Sequence, residues 1–228
     1  MEKAVREADK GGPEMILTKN QEVTDGTRDR ILDLLAERRS PYGFSSRRVE
    51  PEKLHRLFQA ARWAPSSYNE QPWSFLVATR DNPEEYDRLL STLVEFNRQW
   101  AGQAPVLVLG VAKLAFDRDG RTNRHAWYDL GQAVADLTVQ ATAEGLSVHQ
   151  MAGFDAAKAR QEFQIPTGYE PVVVMAIGYP VDSEVSDPGR PRSRKPVEEF
   201  VFGGHWGQPS MLVTGESTLE GAFDDQSY

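Results

Sequence analysis

The chain has 228 residues, 39% hydrophobic and 10% aromatic, which suits one α/β domain or two small ones. Its formal charge of −8 argues against a nucleic-acid or anionic-membrane partner. The absence of cysteine excludes disulfides, thiolate catalysis, zinc–cysteine sites and iron–sulfur clusters in one step.

Residues 1–25 are polar and read as a flexible segment, and 208–228 read as an acidic tail, leaving one domain over 26–207. Met1–Lys19 is charged and has no apolar core of signal-peptide length. No apolar run reaches the roughly 18 residues of a membrane span, so a soluble, cytoplasmic protein is expected.

Thr27 is placed to cap a helix reaching about Arg38, with Ile31, Leu32, Leu34 and Leu35 on its buried side. Pro41 stops it. A second helix starts at Pro51, a good first helical position, with Leu54, Leu57, Phe58 and Ala61 as its stripe. A strand follows over Phe75–Thr79. One helix is then expected from about Pro83 to Trp100, carrying Leu89, Leu90, Leu93 and Phe96, with Asn97 near its end.

Pro105–Ala112 is almost wholly apolar and reads as a strand buried on both faces. Lys113–Arg124 is a polar loop. Its Asp117 and Asp119 lack the ligand count and closing Glu of a calcium site, so no metal is expected. Ala126–Gly145 is the longest helix. Trp127, Leu130, Val134, Leu137 and Ala141 form one stripe, and Ala133, Ala135, Val139 and Ala143 leave its other faces apolar too. Such a helix must be buried on most sides, and a subunit interface achieves that, so a homodimer is expected. Ser147–Met151 reads as a strand at a sheet edge. Gly153-Phe154-Asp155 opens another helix with Asp155 as cap. Pro171–Tyr179 is the last core strand, and Pro196–Phe202 is a short helix or strand before Gly203–Gly207.

Three polar stretches carry candidate chemistry. In Ala64-Pro65-Ser66-Ser67-Tyr68-Asn69-Glu70-Gln71-Pro72-Trp73 the two prolines restrict the backbone. Ser66, Ser67, Asn69 and Gln71 both donate and accept hydrogen bonds, which suits the edge of a flat heteroaromatic ring. A well-capped turn is the alternative. Arg38-Arg39-Ser40 suits a phosphate, but the motif by itself favours the plainer reading of a helix C-terminus with basic residues. Arg190, Arg192, Arg194 and Lys195 call for an anion or form a solvated loop.

Other chemistry is missing. There is no Gly-Lys-Ser/Thr phosphate loop, no G-x-G-x-x-G and no Gly-x-Ser-x-Gly. His55, His125, His149 and His205 are scattered and read as structural. An enzyme with this inventory needs a cofactor to carry its reaction.

Taken in order, Arg38-Arg39-Ser40, the Pro65–Trp73 loop, Gly153-Phe154-Asp155, Ala176-Ile177-Gly178-Tyr179-Pro180 and Arg192-Ser193-Arg194-Lys195-Pro196 resemble the FMN-dependent nitroreductase family. The resemblance covers roughly Thr27–Trp206. It implies an α+β fold with a central, mainly antiparallel sheet flanked by helices, in an intertwined homodimer with FMN at the interface. It assigns Arg38 and Ser40, with Arg192 and Arg194, to the flavin phosphate, and counts Arg39 among the cofactor-binding residues. Pro65, Ser66, Ser67, Asn69 and Gln71 match the loop that the partner subunit lays against the isoalloxazine. Gly153, with Met151 and Ala152 before it, matches the backbone near N5, and Asn97 an amide on the pyrimidine side. Tyr68 and Trp100 are candidates for a substrate-facing wall. No side chain is assigned a catalytic role.

Tyr42 stands where many members have a basic residue, Trp100 where some have Lys, and Ala152 where some have Glu. The implied activity passes hydride from NAD(P)H through FMN to a nitroaromatic, quinone or enone. A reductive dehalogenase, a flavin-degrading enzyme and a non-catalytic FMN-binding protein are the alternatives.

Overall fold

A computed structural model describes residues 31–181 and 192–214. The chain falls into two units, Met1–Glu184 and Val185–Tyr228, and the division lies inside the 26–207 span read from sequence as one domain. The 1–25 segment lies outside the described residues.

The first unit is built on a four-stranded sheet of β1 (Trp73–Thr79), β2 (Val106–Lys113), β3 (Ser147–Met151) and β4 (Tyr169–Gly178). Its order is β1-β2-β4-β3 and every pairing is antiparallel. β2 sits second in the sheet, and all of it but Lys113 is buried, which is why its sequence is continuously apolar rather than alternating. Its side chains still alternate in direction. Val106 and Val108 join the core on one face, Leu107 and Leu109 the core on the other. β4 divides the same way, with Met175 and Ile177 on the first face and Val174 and Ala176 on the second.

Two helices cover the first face. α2 (Pro51–Ala61) starts at its proline and buries Leu57 and Ala61. α5 (Ala126–Ala143) lies against it and buries Ala126, Asp129, Leu130, Ala133, Val134, Leu137, Thr138 and Ala141, a run spaced by three and four residues. α3 (Pro83–Leu90), α4 (Glu95–Ala101) and α6 (Ala156–Glu162) contribute to the core of the second face. Asp155 caps α6 by accepting from Lys158 N at 2.9 Å.

Four expectations need correction. α1 is only Asp33–Glu37, begins after Leu32 and buries nothing. Ile31, Leu32 and Leu35 are exposed and Leu34 is half-buried, because no apolar surface among the described residues covers them fully. Thr27 lies outside the described residues. The helix expected over Pro83–Trp100 is two helices. The Ser91 and Thr92 hydroxyls donate to the carbonyls of Arg88 and Leu89, and the chain turns there to pair with 153–155. Phe96 is consequently exposed while Leu93 is buried. Trp127 is exposed, and Asp129 is buried on the face where a hydrophobe was expected. Val134 and Leu137 belong to the protomer's own core, not to a free face.

The second unit holds a 3₁₀ turn, Val197–Glu199, a bridge between Phe202 and Pro209 and a short helix, Met211–Thr214. Among the described residues no helix is long and apolar enough to cross a membrane.

Candidate functional site

The candidate residues of the first unit gather at the two opposite edges of its sheet. At the β1 edge, buried Ala64 and Pro72 anchor the ends of the loop. Between them Ser67–Asn69 forms a 3₁₀ turn, and Tyr68 (φ 54°), Asn69 (φ 57°) and Gln71 (φ 50°) are left-handed. Asn tolerates that region, whereas Tyr and Gln pay a conformational cost of about 1 kcal/mol or more each.

Several bonds hold the bend. Ser66 Oγ accepts from Gln71 N at 3.0 Å, and Gln71 Nε2 donates to Asn69 O and Oδ1 at 3.3 and 3.2 Å. Ser67 N donates to Asp129 Oδ2 at 3.1 Å, and that carboxylate's residue is only 2% exposed. Gln132 Nε2 donates to Pro65 O at 3.4 Å, and Lys113 N to Pro72 O at 2.8 Å. Tyr68, Asn69 and Gln71 are thereby presented outward, and Ser66 and Ser67 are half-buried.

Sequence reasoning gave Asp129 no role. The spacing that marks Leu130, Val134 and Leu137 as buried includes Asp129, one turn before Ala133. A carboxylate on that face signals a backbone N–H to be held.

At the β3 edge the site is assembled from separate stretches. Met151 ends the strand and is buried, Ala152 is exposed and Gly153 is half-buried. Gly153 O accepts from Val94 N at 3.1 Å and from Asn97 Nδ2 at 3.0 Å. A Cβ at 153 would lie 2.7 Å from that Nδ2 and 3.0 Å from Val94 Cγ2, so the approach of α4 depends on glycine. The Gly153 N–H has no acceptor among the described residues. The break between α3 and α4 places Asn97 here, in the first turn of α4 rather than near the end of a long helix.

Arg38 donates to Ser40 Oγ at 3.1 Å, with Arg39 half-buried between them. The next carbonyl, Pro41 O, accepts from His149 Nδ1 of β3 at 2.8 Å, and the Tyr42 ring lies 4.8 Å from the His149 ring. The arginine–serine pair therefore belongs to the same edge as Gly153. Trp100, grouped by sequence with Tyr68 as a substrate-facing wall, is 8% exposed and packs 4.3 Å from His149, its Nε1 buried without a partner. Tyr68 is 73% exposed.

No hydrogen bond among the described residues joins the two sets. Three inter-strand spacings separate the edges, about 14 Å. Arg192 and Arg194 belong to the second unit. Both are exposed, and Arg194 donates to Ser193 O at 2.9 Å. Arg190 lies outside the described residues. Among the described residues no cluster of three or more His, Asp or Glu is placed to hold a metal ion.

Both edges are rich in donors: a guanidinium, hydroxyls, amide N–H groups and a free backbone N–H. Comparison with known proteins agrees with this inventory. The model of the nitroreductase family matches residues 35–179, most of the chain. The chain belongs to the nitroreductase family. Its relatives in that family include an uncharacterized 15.4 kDa protein of Mycolicibacterium smegmatis, 36% identical over 135 residues that are 57% of this chain and 90% of the relative. The major NAD(P)H-flavin oxidoreductase of Aliivibrio fischeri is 26% identical over 203 residues, 68% of this chain and 89% of the relative. A crystal structure of an oxidoreductase containing FMN superposes with a TM-score of 0.73 at 26% identity, covering 82% of this chain and 98% of that one. The nitroreductase fold thus accounts for the central sheet and its flanking helices.

Proposed function

We propose that this nitroreductase-family chain is an FMN-dependent NAD(P)H oxidoreductase whose active sites are completed by two copies of the chain. When bound, the flavin supplies hydride transfer, taking electrons from NAD(P)H and delivering them to an electron-poor acceptor such as a nitroaromatic, quinone or enone. The chain's own groups fit that cofactor. The Arg38 guanidinium and Ser40 hydroxyl form a phosphate-binding pair. The free Gly153 N–H offers a backbone donor beside the ring, and Asn97 fixes that peptide by holding its carbonyl. Ser66, Ser67, Asn69 and Gln71 would offer hydrogen-bonding groups to the ring from a loop held by several bonds. No residue at either edge is required as acid or base, because orientation and exclusion of water are the protein's share.

The separation of the two edges carries the dimeric part of the reading. The two edges stand about 14 Å apart, and a loop supplied by a second copy would let both sets meet one flavin. The outward surface supports this. Leu35 of α1, which lies against α5, and Ile31 and Leu32 just before that helix are exposed, and α5 shows Trp127, Tyr128, Gly131 and Ala135 to solvent. An apolar face of that kind marks an interface. The related FMN-containing oxidoreductase and the Aliivibrio flavin oxidoreductase support the cofactor and donor.

Subunit complementation tests the whole reading. Arg38→Ala breaks the β3-edge set and Ser67→Pro the β1-edge loop, and each homodimer should lose most of its flavin and its NAD(P)H oxidation. In co-expressed mixed dimers one of the two sites regains a sound Arg38 from one chain and a sound loop from the other. Recovery of up to half the wild-type flavin content per mixed dimer is expected. Recovery of none would mean that both sets come from one chain and would end the shared-site account.

A further inference from the structure

The polar segment 113–124, between β2 and α5, is built onto the strained loop. It folds back on itself, with Ala115 bridging Thr122, Phe116 N donating to Arg121 O at 2.9 Å and Gly120 N to Phe116 O at 2.8 Å. Glu70 ties it to the loop: Oε1 accepts from Asp117 N at 2.8 Å and from Lys113 Nζ at 3.5 Å. Lys113 also pairs with Asp117, and these two carboxylates, Asp117 first, hold its pKa above the ordinary lysine value. Phe116 is 9% exposed and meets the Tyr68 ring edge-on at 5.7 Å. The Arg118 guanidinium stands 3.9 Å from the centroid of the same ring. Loop and flap therefore form one body, with an arginine stacked on its most exposed aromatic residue.

The charge of this arginine is only partly matched. Asp119 is its nearest carboxylate, at 3.3 Å, but Asp119 accepts from Arg121 at its backbone N (3.1 Å) and at Nε and NH2 (2.9 Å each). Those bonds, the backbone one foremost, hold the Asp119 pKa below its ordinary value. Across the joined loop and flap, Lys113, Arg118, Arg121 and Arg124 stand against Glu70, Asp117 and Asp119, a positive balance on a chain of charge −8. A guanidinium stacked on a ring commits its face and keeps its N–H donors at the rim, where they fit a carboxylate or phosphate in pairs.

We infer that Arg118 determines specificity by selecting planar ligands that carry an anionic group, a carboxylate or phosphate, at the site Tyr68 faces. The inference rests on the oxidoreductase reading above. Two sources of the anion are open to measurement: a carboxylated electron acceptor, or the 2′-phosphate that distinguishes NADPH from NADH.

Steady-state kinetics on the FMN-loaded protein separates them, using 4-nitrobenzoate against nitrobenzene and NADPH against NADH. Arg118→Ala should raise KM for the anionic member of one pair about tenfold more than for its neutral or unphosphorylated partner, with Arg118→Lys in between. Calorimetric titration of the oxidised protein with benzoate and with 2′-AMP gives a readout independent of turnover. The same variant should weaken whichever of the two binds. Selectivity ratios within twofold of wild type for both pairs would overturn the role of Arg118 alone, as would an equal fall in kcat for every substrate. Wild-type protein that takes up no FMN, or oxidises NAD(P)H with no nitroaromatic, quinone or enone, would overturn the oxidoreductase reading and this inference with it.

Discussion

The two edges of the sheet present their donors by opposite means. At the β3 edge, Arg38–Ser40, Asn97 and Gly153 come from three distant stretches: Asn97 meets Gly153 through one close approach, and Arg38–Ser40 is tied to the strand through Pro41 O and His149. At the β1 edge one contiguous run supplies every group, bent through three left-handed residues and held by many bonds, including one to a buried carboxylate. The first edge is a contact between well-folded elements, so it should fail all at once when that contact is blocked. The second spreads its strain over several hydrogen bonds and should fail by degrees.

The sharpest way to break that comparison is Gly153→Val. The new side chain meets Asn97 Nδ2 and Val94 Cγ2 below contact distance, so α4 must withdraw and Asn97 must release the carbonyl. Flavin retained after gel filtration should fall by more than tenfold while the thermal transition stays cooperative. Retention at the wild-type level would show that the β3 edge is not organised by this approach.

A smaller effect is expected at the other edge. Asp129→Ala leaves Ser67 N without its buried acceptor, a loss of about 1–3 kcal/mol, or a melting temperature lower by several degrees. Asp129→Asn keeps an oxygen acceptor and should recover more than half of the difference. If both variants melted alike, the Asp129 bond would not be what restrains the loop.

The smallest effect is a control away from both edges. Glu50 accepts from the Tyr179 hydroxyl at 2.6 Å and pairs with Arg47 at 2.6 Å. These bonds, Tyr179's first, lower its pKa from 4.5 to about 2. A carboxyl held low in the folded state stabilises it above pH 4.5, and the contribution is lost as pH falls from there through about 2. Because Glu50 is solvent-exposed, the effect is modest. Glu50→Gln should flatten the acid-side decline of melting temperature in that window and leave flavin binding as it was.

What was legible in the sequence followed what neighbouring residues determine among themselves. β2 announced itself because a strand covered on both faces has no polar side to show. The strained loop was legible because its prolines, hydroxyls and amides act within a few residues of one another. α2, α6 and their starting residues followed for the same reason. The break before α4 did not, because it arises from Ser91 and Thr92 capturing carbonyls in competition with a helix that the apolar spacing favours. Asp129 was missed because the buried face of its helix was traced from apolar residues alone. α1 was misread because apolar residues were assumed to be covered by their own chain. The basic pair Arg192 and Arg194 sits in the second unit, and its meaning rests on contacts no local pattern encodes.

The turn at Ser91–Val94 carries an implication for how this chain can vary. Val94 N and Asn97 Nδ2 converge on the same oxygen, so the number of residues between the turn and the amide is fixed by that convergence. One residue added within 95–96 would rotate Asn97 by about 100° around α4 and carry it off the oxygen. Gain and loss of residues should therefore be barred between the turn and Asn97, so that the length of this short connection is as much a part of the site as the amide it delivers.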